Sequence, residues 1–404
     1  MSIVSVRMRQ VKLSPSVAAR IILNRLREEG RRIIDLTIGE PDFATPAHIR
    51  KAAVEAMERG ETKYPLSQGT MALRKAAAAR ILLDTGIEYP LAQIIVSTGA
   101  KQVLYNALTA TLEAGDEVII PAPYWVSYPD MVELAGGTPV TLVTESASDY
   151  KISPAALRAA ITPKTKWLML NAPSNPSGVV YNRQELDALA EVLRANPHVW
   201  IMTDDIYARL TFEGGPAPHI LQVAPELADR TLAVNGVSKC YAMTGWRIGY
   251  GSGPADLIKA MAVVQSQSTS GACSISQAAA LAALTGPQDC VEEFTHSFRE
   301  RRDLALNILR DAPGLKVIVP NGAFYVFPDC SSLLGRVAPD GTEIATDADL
   351  VQYILRRTGV ALLDGGSYGI PGTFRLSFAS ASDEVREGCE AIKTVCEELM
   401  STQA

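Results

Sequence analysis

The stretch SKCYAMTGWRIG, Ser238 to Gly249, sets one lysine among small and apolar neighbours and brings an arginine eight positions later (247 minus 239) into a glycine-flanked turn. Gly236, Val237, Cys240, Ala242 and Met243 offer a charged ammonium little hydration, so Lys239 is better suited to act as an amine than as a charge. The stretch overlaps the end of TLAVNGVS (231–238), a short apolar run of the kind that forms a buried strand. In open α/β sheets ligands gather beyond the carboxyl ends of the strands, and Lys239 falls there.

Working outward, four more such runs precede it: QIIVSTG (93–99), DEVIIPAP (116–123), KWLMLNAP (166–173) and HVWIMTDD (198–205). From about Thr45 to Gly286 each run ends in a turn rich in Gly, Pro, Asn or Ser and leads into an amphipathic stretch. That alternation predicts an α/β fold, a mostly parallel sheet with helices covering both faces. The pattern then changes. FTHSFRERRDLALNILRDA (294–312) predicts a long charged helix, and GLKVIVPNGAFYVFPD (314–329), DADLVQYILRRTG (347–359) and FRLSFA (374–379) predict a smaller α+β unit. The amphipathic segment SVAARIILNRLREEG (16–30) can pack against it. The expected division is a large domain over 46–295 and a small domain made of 1–45 and 296–404, with an N-terminal arm.

The chain of 404 residues exceeds the size at which one hydrophobic core stops growing, which also favours two domains. A net charge of −6, with scattered Lys and Arg and no basic block, argues against a nucleic-acid surface and for small-molecule partners. The six cysteines, at 240, 273, 290, 330, 389 and 396, form no CxxC pair or metal-ligand spacing, so reduced thiols and no metal are expected. The N-terminus has no long apolar region, and no segment approaches the roughly 20 apolar residues that span a bilayer. A cytoplasmic protein without membrane contact is the expectation.

The loops after the runs carry the chemistry. In STGAKQ (97–102) a strand meets Gly99 and then a helix beginning at Ala100, leaving free N–H groups that suit a phosphate, although such junctions are also common structure. Trp125 in PAPYWVSYP (121–129) is either core or a flat face for an aromatic ring. Asn175 in NAPSNPSG (171–178) sits in a rigid turn that can aim its amide into the crevice. Asp204 in MTDDIY (202–207) ends an apolar run, where a carboxylate either caps a helix or needs a buried partner. In this order, phosphate loop, aromatic face, amide, buried acid and amine describe a site for pyridoxal 5′-phosphate. An aldehyde cofactor needs an amine to condense with, and a desolvated lysine has the lowered pKa that makes it nucleophilic. The pyridine nitrogen must stay protonated to draw electrons, which calls for a carboxylate such as Asp204.

GVSKCYAMTGWRIG (236–249) resembles the lysine signature of the fold-type I pyridoxal-phosphate enzymes, class I/II aminotransferases, in the bacterial aspartate aminotransferase branch, and the resemblance extends over nearly the whole chain. It implies that Lys239 holds the cofactor and shuttles a proton, with Ser238 beside it, and that Arg247 grips the phosphate with Gly99, Ala100 and Tyr64, the last reaching over from the other subunit of a homodimer. It implies that Trp125 stacks on the ring, that Asn175 and Tyr207 bond the 3′ oxygen, and that Asp204 meets the ring nitrogen. Arg375 would clamp the substrate α-carboxylate bidentately, with the Gly39 backbone beside it. Lys101, Ser14 and Ser16 would take a distal carboxylate.

Three positions depart from the family pattern. Gly236 replaces a common phosphate-binding serine, Ala100 a common glycine, and Gly366-Ser367-Tyr368 a Ser-Ala-Phe run. The leading expectation is transfer of the amino group of a dicarboxylic amino acid, L-aspartate first, to 2-oxoglutarate or a smaller 2-oxo acid such as glyoxylate. The alternatives are an aminotransferase for aromatic or neutral amino acids, a lyase or decarboxylase on the same fold, and a non-catalytic effector sensor. The sensor lacks room for a DNA-binding module.

Overall fold

The runs assemble as their composition directs. In the computed structural model, which describes residues 3–5, 7–9, 11 and 13–401, one sheet holds β1 (Ile94–Ser97), β2 (Glu117–Ala122), β3 (Thr138–Val143), β4 (Thr165–Asn171), β5 (Trp200–Asp204), β6 (Thr231–Gly236) and β7 (Gly249–Ser252). Their order across the sheet is β1-β7-β6-β5-β4-β2-β3, and β7 alone runs against the rest. β1, β6 and β7 are buried at every position, as expected of strands covered on both faces. Val118, Ile120, Trp167 and Met202 pack on one face, and Ile119, Leu168, Leu170 and Ile201 on the other. Each such side chain contributes about 1.5–3 kcal/mol by leaving water.

Register explains how the site forms. Asn171 pairs with Asp204 across β4 and β5, and Asp204 with Val234 across β5 and β6. The C-terminal ends of the central strands therefore lie abreast, and Lys239 comes three residues after β6 ends at Gly236. On the other side of β6, Gly236 pairs with Gly249, which also pairs with Ser97. A Cβ on Gly249 would run into the backbone of Gly99 and Ala100, so glycine here lets the phosphate loop lie directly on the lysine loop.

The smaller sheets lie outside residues 46–295. Leu363–Asp364, Phe374–Ser377 and Tyr325–Val326 form three antiparallel strands, and Ile34–Asp35 pairs in parallel with Val360–Ala361. The N-terminal helix Pro15–Glu28 begins on a proline, whose missing N–H costs nothing at that position. The segment after it is tied to the C-terminal elements by a bidentate Arg32–Glu387 pair at 2.7 and 2.6 Å. The 21-residue helix Asp289–Leu309 runs through the expected boundary at 295/296. From the apolar run at 314–329 only Tyr325–Val326 forms a strand, with Pro320 and Gly322 interrupting what precedes it. All six cysteines are free thiols, and no helix among the described residues is long and apolar enough to cross a membrane.

Candidate active site

A cleft of about 560 Å³ opens over the strand ends. Lys239 reaches into it and donates from Nζ to the Gly39 carbonyl at 2.6 Å. Its pKa is lowered to about 8, chiefly because burial disfavours the ammonium; Glu40 opposes the shift, while Arg247 and Arg375 add to it. Asp204, at the end of β5, is 5% exposed. Burial raises its carboxyl to about 6 against a bond from the Tyr128 hydroxyl at 2.7 Å. Among the described residues no Lys, Arg or His side chain makes an ion pair with Asp204. A buried carboxylate without a cation is costly, and it suits a cationic ring nitrogen brought in by a ligand.

A hydrogen-bond chain runs from this acid to the opposite wall. Asn171 donates from Nδ2 to the Asp204 carbonyl at 2.7 Å and accepts the Asn175 N–H at 2.9 Å. Asn175 Oδ1 accepts from Arg375 Nη1 at 3.0 Å, and Arg375 Nη2 donates to the Thr37 carbonyl at 2.5 Å. The Arg375 guanidinium stands 4.4 Å from the ring centroid of Tyr325 and 5.4 Å from that of Tyr368, and its buried Nε has no hydrogen-bond partner among the described residues. An orphaned donor on a buried guanidinium is what an incoming carboxylate would satisfy. Tyr207 and Tyr325 share a hydroxyl–hydroxyl bond of 2.8 Å, and Gly39 lies against Tyr325.

At the other end, Gly99 (φ 84°) turns the chain into the helix Ala100–Thr111, whose first N–H groups have no intrahelical partner. Arg247 faces it from a left-handed backbone (φ 56°, ψ 57°), a costly conformation for a non-glycine residue, with Nη1 held by the Thr244 carbonyl at 2.8 Å. Gly236 is tightly enclosed: a Cβ there would stand 3.0 Å from Ile206 Cδ1 and from the Ile248 carbonyl, so a serine would require those neighbours to yield by a few tenths of an ångström. At the mouth, Lys101 donates to Ser127 Oγ at 3.0 Å and lies 4.5 Å from the Trp125 ring centroid. Burial, then Arg247, lowers the Lys101 pKa. Ser14 and Ser16 complete that wall together with Arg20, whose contact with Glu40 is loose at 3.9 Å.

The sequence profile of the aminotransferase class I and II family matches residues 31–392. The chain belongs to the class I and II aminotransferases. This aminotransferase is 49% identical to a probable aspartate/prephenate aminotransferase of Rhizobium leguminosarum bv. phaseoli over 96% of this chain and 97% of the relative. It is 48% identical to an aspartate/prephenate aminotransferase of Cereibacter sphaeroides over 98% and 99%. Its fold superposes on the crystal structure of an aspartate aminotransferase from Rhizobium meliloti with a TM-score of 0.95, at 46% identity, covering 99% of this chain and 100% of that one. The aspartate aminotransferase of Thermus thermophilus with maleate gives 0.90 at 40% identity, covering 98% and 100%.

Of the expected site residues, Ser14, Ser16, Gly39, Ala100, Lys101, Trp125, Asn175, Asp204, Tyr207, Ser238, Lys239, Arg247 and Arg375 of the aminotransferase line the one cleft. Gly99 sits immediately behind Arg247. Tyr64 lies outside the lining and is 93% exposed in the single chain. Sequence reasoning missed Arg20, Glu40, Ser127, Tyr128, Asn171, Thr244 and Tyr325. Glu40, Asn171 and Thr244 stand in the very segments singled out for Gly39, Asn175 and Arg247, so a polar residue beside each of those was an available signal. Tyr128 and Tyr325 carried none, because a tyrosine in an apolar context looks like core until its hydroxyl partner is placed.

Proposed function

We propose that this aminotransferase binds pyridoxal 5′-phosphate in the cleft around Lys239 and moves the amino group of a dicarboxylic amino acid, L-aspartate first, to a 2-oxo acid. The observation that carries the proposal is the presence, in one cleft, of a lysine with a lowered pKa and a buried carboxylate that makes no ion pair with a Lys, Arg or His among the described residues. The cofactor would supply an electron-withdrawing ring and alternate between aldehyde and amine forms. Asp204 would hold the proton on the ring nitrogen, Arg247 and the N–H groups after Gly99 would hold the phosphate, and Trp125 would cover the ring. Asn175 and Tyr207 would bond its 3′ oxygen, and Ser238 and Tyr64 would assist at the phosphate, Tyr64 from a second subunit.

Arg375 would fix the α-carboxylate and so orient the Cα–H bond toward Lys239. Lys239 Nζ, neutral in a large fraction of molecules near pH 8, would take that proton and return it during the same half-reaction. Lys101, Ser14 and Ser16 would receive the distal carboxylate. The aspartate named in the relatives fits this wall, and the cleft's cations, Arg20, Lys101, Lys239, Arg247 and Arg375, outnumber its carboxylates, Glu40 and Asp204. We also propose a homodimer, and the domain division 46–295 and 1–45 with 296–404, with Asp289–Leu309 as the element shared between them.

Prephenate, named in the same relatives, enters as a second acceptor reading. It is favoured by an open recess of about 450 Å³ beside the cleft, which shares Ser14, Lys101, Ser127 and Arg247 with it and is also lined by Tyr105, Met131 and Leu134. The test is a half-reaction screen. The chain loaded with pyridoxal phosphate is mixed with each amino acid and the conversion to the amine form is read by absorbance, then reversed with each 2-oxo acid. Aspartate is expected to convert the cofactor faster than alanine, and Lys239→Ala to bind it without turning over. Conversion by neutral amino acids alone would overturn the dicarboxylate reading, and parental turnover in Lys239→Ala the whole reading.

A further inference from the structure

We propose that Tyr128 is a positioning residue that keeps Asp204 ionised opposite the cofactor's ring nitrogen, a role that rests on the cofactor reading above. Tyr128 lies in the first turn of the helix Ser127–Ala135, three residues after Trp125. Its ring meets the Trp125 ring edge-on, with centroids 5.4 Å apart and planes at 86°. That contact directs the hydroxyl to Asp204 Oδ2 at 2.7 Å. Tyr128 is 2% exposed and Asp204 5%, so no bulk water competes for the bond. Among the described residues the other carboxylate oxygen accepts only from the Ile206 N–H, long at 3.4 Å. The Tyr128 hydroxyl is thus the one side-chain donor on this acid among the described residues.

The direction of the effect follows from the groups around the acid. Asp205, next in the chain, and burial both favour its neutral form; Tyr128, the Ile206 N–H and Lys239 favour the carboxylate. Tyr207 also faces it, and His219 lies behind Asp205 with Nε2 3.3 Å from Asp205 Oδ2. Since His219 Nδ1 accepts the Leu221 N–H, the proton sits on Nε2, and this pair engages Asp205 rather than Asp204. Removing the Tyr128 hydroxyl therefore withdraws the shortest bond that favours the charge and leaves the opposing influences in place. Phenylalanine keeps the ring contact with Trp125, so what is lost is the proton donor.

The role can be read without turnover. Pyridoxine 5′-phosphate carries the ring nitrogen and phosphate but an alcohol in place of the aldehyde, so it cannot condense with Lys239. Its binding to the cofactor-free chain is followed by tryptophan fluorescence between pH 5 and 9. Tyr128→Phe is expected to weaken binding about 10-fold or more near neutral pH and to move the acid limb of the affinity profile upward by about one unit. In an Asp204→Asn background the same change should have no effect, because the charge it supports is gone. Equal losses in both backgrounds, or a loss uniform across pH, would show a packing role and overturn the inference. If Tyr128→Phe does not fold, Tyr128→Leu carries the same comparison. Failure of the parent chain to bind the probe at any pH would instead strike the cofactor reading.

Discussion

Asp204→Asn should stabilise the cofactor-free chain while damaging the holoenzyme. The folded protein raises this carboxyl from 3.8 to about 6. The difference of roughly two units, at about 1.36 kcal/mol each, is a cost on the order of 3 kcal/mol for keeping the charge in the cleft. The sign follows from linkage. With the folded pKa above the unfolded one, the cost is fully present above pH 6, shrinks as the pH falls from 6 toward 4, and vanishes where both states are protonated. Asparagine carries no charge to desolvate, and its side-chain oxygen can still accept from Tyr128. Thermal unfolding of parent and variant, at matched pH and fixed protein concentration because a dimer's midpoint depends on it, should show the variant ahead at pH 8 and the gap closing toward pH 5. With cofactor bound the order should reverse, since the ring nitrogen loses its anion. A variant less stable than the parent at pH 8 without cofactor, or a gap indifferent to pH, would refute the argument that Asp204 is held charged at a net cost from burial.

Lys101→Ala should lower kcat/KM for aspartate by about 10- to 100-fold, the size of a lost charge-assisted contact, and leave alanine nearly unchanged; an unaltered aspartate-to-alanine ratio would move distal recognition elsewhere, with Arg20 the next candidate. Arg375→Ala should damage both donors alike, because both carry the α-carboxylate and the substitution also strands the Asn175 and Thr37 oxygens. Mixing Tyr64→Ala chains with Lys239→Ala chains should restore about a quarter of the parental activity, since half the dimers are mixed and each has one complete site. No recovery on mixing would mean that Tyr64 does not cross the interface.

Much of the architecture was legible because five of the seven strands of the large sheet stood out as short apolar runs, and two of them end on the polar residues Asn171 and Asp204, whereas Thr138–Val143 and Gly249–Ser252 carry no such run. Asp204 follows WIMT and Asn171 follows KWLML, and the pairing of these two residues across adjacent strands turns two local signals into one wall of a site. Short strands in the C-terminal portion were less legible, since two-residue pairings such as Ile34–Asp35 with Val360–Ala361 depend on contacts between distant segments rather than on local pattern. Departures from the family pattern became interpretable only in three dimensions. Gly236 could be seen as a missing phosphate donor, and the structure adds that Ile206 and the Ile248 carbonyl close in on the position, so a side chain there would have to displace them. Tyr368, in place of the expected phenylalanine, puts a hydroxyl with no hydrogen-bond partner among the described residues into the buried shell around Arg375.

The two carboxylates of the cleft act on the same lysine from different depths. Glu40 stands at the mouth with its side chain half exposed, accepts from Thr244 at 2.5 Å, and opposes the drop in the Lys239 pKa. Asp204 pulls in the same direction from the floor, but more weakly. Arg247 and Arg375 push the other way, and under the proposed function each would meet an anion: the first a phosphate, the second an α-carboxylate. When those anions arrive, the cationic repulsion on Lys239 falls and its ammonium form gains, whereas a cationic ring nitrogen paired with Asp204 removes one of the charges that favoured the ammonium. The basicity of Lys239 is therefore set by which partners are bound, and a lysine poised near pH 8 can be tipped toward taking a proton when the substrate carboxylate settles on Arg375. That coupling requires Arg375 and Lys239 to stay close in one cleft, and the Gly39 segment ties them together: its carbonyl accepts from Lys239, and two residues earlier in the chain the carbonyl of Thr37 accepts from Arg375.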